Sequence, residues 1–154
     1  MRAYRIADER FPIFDGTGAK IAGARWNSPG RPVIYAAETF AGAMLEILVH
    51  AAIDRLPKTY VYVELGIPDA VVTESTNLAH TFELETEGQT LSRKIGDRWL
   101  QETRSAVLIV PSIVTNGVET NLLVNPLHPD CPLIQLGTPK PVVWDSRFFR
   151  ERLR

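Results

Sequence analysis

Phe40, Ala43, Met44, Ile47, Leu48 and Ala51 recur at the 3.6-residue period, which predicts a helix over 40–53. Leu45, Val49 and Ala52 make its other side apolar as well, so the pattern predicts a buried helix. Its only polar line is Thr39, Glu46 and His50, which fall within roughly 40° of each other at about 100° per residue. A second helix is predicted over 92–103, with Ile95, Trp99 and, at the margin of that face, Leu91 turned inward. A terminal helix is predicted over 146–153.

Strands follow from the alternating and β-branched stretches. They are predicted at 4–6, 33–37, 60–66, 71–73, 121–124, 133–136 and 142–144. The continuous run from Ala106 to Val110, ended by Pro111, reads as a strand covered on both faces. Residues 11–31 are rich in Gly, Pro, Asp and Asn and read as a structured loop too long for a mere connection. Residues 76–90 are polar and read as loop. Strands outnumber helices and do not alternate with them. The expectation is an α+β fold, one domain over 1–154, with a mixed or antiparallel sheet.

Composition narrows the class. The chain has 154 residues, 45% hydrophobic and 23% charged, in the range of a folded globular domain rather than a disordered one. Lys and Arg number 17 against 18 Asp and Glu, giving a net charge of −1. No global field draws the chain to nucleic acid or to an anionic membrane, so neither is expected as a partner. Cys131 is the single cysteine, which rules out an internal disulfide. Met1-Arg2-Ala3-Tyr4-Arg5 lacks a signal-peptide core, and no apolar run is long enough to span a bilayer, so a cytoplasmic location is expected.

Several residues are candidates for chemistry. Glu46 is either a glutamate at a solvent slit bonded to His50 one turn on, or a carboxylate aimed into a cleft; residue type does not separate the two. Arg25, between glycines and beside Trp26, is either a surface arginine on the indole or a bidentate grip for phosphate. Tyr35 is either core or a stacking platform for a planar ligand. Ser112 follows the strand covered on both faces, where a polar group is often presented to a ligand, but no G-x-S-x-G elbow surrounds it. The prolines beside Asn125, His128 and Asp130 account for those residues as turns. His128 and Cys131 have too few companions for a zinc site, so no metal is expected. Asp15-Gly16-Thr17-Gly18-Ala19 lacks the third glycine of a dinucleotide fingerprint. Arg147, Arg150, Arg152 and Arg154 with Phe148 and Phe149 form a short basic segment, read as a solvated face or a docking site for an acidic partner. Leu122-Leu123-Val124 fits either the core or a homodimer interface.

Taken in order, these pieces resemble the RES domain, a family of bacterial toxins named for an arginine, a glutamate and a serine. The resemblance rests on Tyr4-Arg5-Ile6, Phe14-Asp15-Gly16-Thr17-Gly18-Ala19, Gly23-Ala24-Arg25-Trp26-Asn27 and Val33-Ile34-Tyr35-Ala36-Ala37-Glu38. It continues through Leu45-Glu46-Ile47-Leu48-Val49-His50, Val110-Pro111-Ser112 and Asn121-Leu122-Leu123-Val124-Asn125-Pro126-Leu127-His128. Ala24 departs from the glycine often found there, and a tighter loop that shifts Arg25 is one expected consequence.

The resemblance implies an ADP-ribosyltransferase-like fold and an enzyme with NAD⁺ as its substrate and no metal. It implies the toxin of a type II toxin–antitoxin system, blocked by an Xre-type helix-turn-helix antitoxin. It carries the family triad onto Arg25, Glu46 and Ser112, and the nicotinamide-side tyrosine onto Tyr35. Arg25 is then expected at the pyrophosphate, Tyr35 on the nicotinamide and Glu46 at the nicotinamide ribose. Ser112 would bond the ribose or orient Glu46, with Arg5 and Asn121 as lesser substrate contacts. Cleavage of the nicotinamide–ribose bond that depletes NAD⁺ is the first expected activity. Mono-ADP-ribosylation of a protein target is the alternative. A non-catalytic nucleotide-binding module and a pure protein-interaction domain rank below both.

Overall fold

Strict alternation from Tyr60 to Gly66 buries Val61, Val63 and Leu65 on one side of a strand and turns Tyr60, Tyr62 and Glu64 to the other. The same period organises the rest of the chain. A computed structural model describes residues 1–50, 58–76 and 85–149, with the backbone alone for 85–90. Within these, strands β1 (Arg2–Asp8), β2 (Ile34–Ala37), β3 (Tyr60–Gly66), β4 (Thr73–Ser75), β5 (Val107–Pro111), β6 (Thr120–Val124), β7 (Gln135–Leu136) and β8 (Lys140–Pro141) form one sheet. Its order is β4-β5-β6-β2-β1-β3-β7, with β8 also on β3. Every pairing is antiparallel except β4 with β5, which is parallel. Helices α1 (Thr17–Ala22), α2 (Phe40–His50) and α3 (Glu85–Glu102) complete the α+β fold.

One sheet face carries Ala3, Ile34, Ala36, Val63, Leu65, Val107, Leu122 and Val124, closed by Cys131, Ile134 and the Ile13–Phe14 segment. Burying each larger aliphatic side chain contributes roughly 1.5–3 kcal/mol. Leu122 and Val124 of the apolar segment therefore lie in the core, and Leu123 is buried on the opposite face. That opposite face carries two further clusters. Trp26, Val33, Trp99, Leu108, Val110 and Leu123 gather under α3. Ile6, Ala37, Ala43 and Val142 gather with Tyr4, Phe40, Met44 and Ile47 under α2. Trp99 is fully buried, and its indole N–H is satisfied by Ser105 Oγ at 2.8 Å.

Several elements depart from the pattern. Helix α2 is buried on one face only: Gly42 and Ala43 are buried, while Leu45 and Val49 are exposed. The remainder of the segment predicted as helix, 51–53, lies outside the described residues. Part of the polar stretch 76–90 is helix, because α3 begins at Glu85. Once a helix is nucleated on its packed half, each added residue gains a backbone hydrogen bond without needing apolar side chains. Leu91 is exposed, since the inward line runs through Ser92, Gly96 and Trp99. The strand expected at 71–73 forms instead at Thr73–Ser75, beside β5. The one expected at 142–144 lies at Lys140–Pro141, on an edge that tolerates proline. Residues 131–133 make a 3-10 turn, leaving Gln135–Leu136 of the expected 133–136 strand. The loop region 11–31 contains the short α1. Ser146–Phe149 is a 3-10 turn, and 150–153 lie outside the described residues.

Thr39 starts α2. Its Oγ accepts the Gly42 N–H at 2.9 Å and donates to Glu119 Oε2 at 2.7 Å. Thr39→Ala is expected to cost about 1 kcal/mol. The thermal midpoint should fall by about 2–4 °C, as read in a calorimetric melt.

Candidate active site

The two clusters on the upper sheet face leave a cleft of about 590 Å³ between α2, the 23–26 segment and the strands. Register explains which side chains floor it. Tyr4 pairs with Ala37, Ala37 with Asn121, and Asn121 with Val110, so these four form one row across β1, β2, β6 and β5. The next row holds Tyr35, Leu123 and Leu108. Tyr4, Tyr35, Ala37, Asn121 and Leu123 line the cleft, and Arg25, Glu46 and His50 line it from above.

Glu46 is the centre of the polar network. Its Oε1 accepts from Asn121 Nδ2 at 2.6 Å and from Ser112 Oγ at 3.1 Å. Its Oε2 lies 3.9 Å from His50 Nε2. The carboxylate side chain is 25% exposed, whereas His50 is 79% exposed at the cleft mouth. One oxygen is thus held by two neutral donors and the other is turned away from them. Glu46 stands 3.9 Å from His50 at i,i+4, too far for a hydrogen bond, and it borders the cleft. Ser112 is buried and does not line the cleft wall; its hydroxyl is directed at Glu46. Asn121 likewise spends its amide N–H on Glu46, and its Oδ1 is buried without a partner among the described residues.

Arg5 also borders the cleft, but its guanidinium is engaged by backbone. It donates to the carbonyls of Ile13, Tyr35 (2.8 Å) and Asp15 (3.3 Å). The β1–β2 register includes the single pair Tyr4–Ala37, so Arg5 stitches a seam that the ladder leaves short. Burial pushes the Arg5 guanidinium down to about 10, against a smaller upward pull from Asp15, which keeps it charged at neutral pH.

Tyr35 is half-buried. Burial raises its phenol well above the ordinary range, and its hydroxyl donates to Asn27 Oδ1 at 2.7 Å. Its polar end is therefore fixed while the ring borders the cleft. Asn27, fully buried, also donates through Nδ2 to the carbonyls of Ala19 (2.9 Å), Arg31 (3.0 Å) and Ser28 (3.2 Å). It ties the Arg25 loop to Tyr35. The sequence motif contained Asn27, but nothing local marked it as the link.

Gly23 opens that loop at φ 68°, where an added Cβ would lie 2.8 Å from Pro29 Cδ, so both the backbone angle and the space call for glycine. Ala24 has no left-handed φ, and its N–H bonds Asn27 O at 2.9 Å. The alanine fits the loop without backbone strain. Among the described residues, no three metal-ligating side chains gather, and no helix is long and apolar enough to cross a membrane.

The fold is shared with a solved structure. One chain of the M. tuberculosis MbcT–MbcA toxin–antitoxin complex superposes with a TM-score of 0.71 over 92% of this chain and 83% of that one, at 20% identity. Curated relatives are toxins. The Prs ADP-ribosylating toxin of Sphingobium sp. (strain YBL2) is 38% identical over 141 residues, covering 88% of this chain and 86% of its own length. Toxin Res of Pseudomonas putida (strain KT2440) is 36% identical over 137 residues, covering 87% and 91%. Fold and relatives together define a toxin domain. The RES domain model matches residues 2–145, and the chain belongs to the RES domain family.

Proposed function

We propose that this chain is an NAD⁺-using toxin that breaks the nicotinamide–ribose bond, and that a protein antitoxin restrains it. The observation that carries the reading is the Glu46 carboxylate, fixed through Oε1 by Ser112 and Asn121, in one cleft with Arg25 and Tyr35. Departing nicotinamide is neutral and needs no proton. The barrier lies in the positive charge left on the ribose. A preoriented carboxylate in a partly enclosed cleft stabilises that charge, and no second acid is required. This differs from the paired carboxylates of most glycoside hydrolases. Arg25 supplies a planar cation for the pyrophosphate. The Tyr35 ring, with its hydroxyl tethered to Asn27, offers a flat wall for nicotinamide. Ser112 and Asn121 act through Glu46 rather than on the substrate. Arg5 holds the strands that carry the cleft floor.

The ribosyl cation can be captured by water, by phosphate or by a protein side chain. Depletion of NAD⁺ is the first reading. Transfer to a protein is the second, favoured by the 38% identical relative named as an ADP-ribosylating toxin. The MbcT–MbcA complex supports an antitoxin partner, and a helix-turn-helix protein encoded next to this chain would accord with it.

Mass-spectrometric analysis of purified protein incubated with NAD⁺ separates these readings. Free nicotinamide with ADP-ribose or its phosphorylated form supports depletion. Label from NAD⁺ on a lysate protein, absent with a Glu46 variant, supports transfer. Intact NAD⁺ together with ligand-induced thermal stabilisation would leave only a binding module.

A further inference from the structure

We infer that α3 is a positioning device for Arg25. The inference rests on the reading of Arg25 as the pyrophosphate grip. Arg25 stands between two peptide groups that α3 contacts. Arg93 donates from Nη2 (3.1 Å) and Nε (3.2 Å) to the carbonyl of Ala24, the peptide that leads into Arg25. Gly96 lies against the carbonyl of Trp26, the next residue; a Cβ there would stand 1.8 Å from that oxygen. One residue on, Asp97 accepts from the Ser28 N–H at 2.9 Å and from the Ser28 hydroxyl at 2.5 Å, with Arg31 Nε 3.4 Å away.

Positions 93, 96 and 97 are i, i+3 and i+4, so they share one helix face and meet the loop in sequence order. Two of the contacts are made by a charged side chain, and those of Asp97 are short. None of the three helix residues borders the cleft. Arg93, Gly96 and Asp97 therefore act through Arg25: they fix the backbone on either side of it, the base from which its side chain meets the dinucleotide. Misplacing a binding group weakens capture of NAD⁺ more than the bond-breaking step, which belongs to Glu46.

The test uses Asp97→Ala and Arg93→Ala, with Asp97→Asn as the variant that keeps the shape and one acceptor. Hydrogen exchange of peptides covering 23–31 reads the clamp without any substrate. Steady-state NAD⁺ cleavage and ADP titration read its consequence. The expected result is at least tenfold faster exchange in 23–31 for both alanine variants, with Asp97→Asn between them and wild type. KM for NAD⁺ should rise about five- to thirtyfold with kcat within threefold, and ADP should bind weaker by a similar factor. Unchanged exchange in 23–31 overturns the inference. So does faster exchange with unaltered ADP affinity, or a joint loss of kcat and of the near-ultraviolet circular dichroism of the whole protein. A wild type that binds ADP but never cleaves NAD⁺ sinks the enzymatic reading instead, while exchange and ADP affinity still decide the clamp.

Discussion

Glu46→Gln is expected to lower the rate of NAD⁺ cleavage by about 10²- to 10³-fold while leaving the protein folded. Loss of one preorganised electrostatic group from an active site typically costs about 2.7–4 kcal/mol in the barrier. A unit charge at about 4 Å from a cation is worth about 4 kcal/mol at an effective dielectric of about 20, so the two figures agree. The fold should survive because the glutamine carbonyl can take the place of Oε1 and still accept from Asn121 and Ser112. Its NH₂ then occupies the position of Oε2 and offers a neutral donor where the reaction needs an anion. Glu46→Ala is the contrasting case. It removes the acceptor shared by two polar side chains, one of them buried, at a cost of about 1–3 kcal/mol, so activity and stability fall together. The pair of variants separates electrostatics from scaffolding, with turnover read by nicotinamide release and stability by thermal melt. A Glu46→Gln enzyme that retained more than a tenth of wild-type turnover would remove the carboxylate from the mechanism.

The parts of the site that the sequence discloses are those written locally. Arg25 sits in a glycine-bounded turn, Tyr35 one strand later and Glu46 on the polar line of the next helix, and the structure brings all three to one cleft. Ser112 and Asn121 were legible as candidates but not in their geometry. Only the pairing of β5 with β6 reveals that both side chains converge on the same oxygen of Glu46. The all-round apolar pattern of 40–53 reads as burial because periodicity cannot tell a covered side from one that borders an open cleft. Val49 and Ile47 line the cleft, and apolar surface left uncovered is a usual mark of a binding site. The hold of α3 on the Arg25 loop was invisible for a different reason. Ser28–Asp97 and Ala24–Arg93 are each 69 residues apart. By propensity alone a glycine weakens a helix, and nothing in its immediate sequence marks Gly96 as a contact.

Gly96→Ala tests that last point, because local propensity and tertiary packing predict opposite signs. In an exposed helix interior the change would stabilise by about 1 kcal/mol. Here the new methyl would stand 1.8 Å from the Trp26 carbonyl oxygen and 2.8 Å from its carbon, both backbone atoms that cannot swing aside. Relief requires α3 and the 23–31 loop to part by roughly 1.7 Å to reach a normal contact of about 3.5 Å. Overpacking of this kind costs about 1–3 kcal/mol. The separation also stretches the Arg93–Ala24 and Asp97–Ser28 bonds beyond useful length, and hydrogen bonds to charged groups are worth about 1.5–3 kcal/mol each. The packing loss outweighs the propensity gain. The net expectation is a destabilisation of at least about 3 kcal/mol, seen as a thermal midpoint lower by at least about 6–12 °C. Trp26 is buried in the cluster that α3 covers, so the displacement cannot be confined to the loop surface. The surviving folded protein should also bind ADP more weakly, since Arg25 lies between the two peptides that move. A Gly96→Ala protein as stable as wild type would mean that α3 slides freely along the loop, and the rigid mounting of Arg25 would go with it.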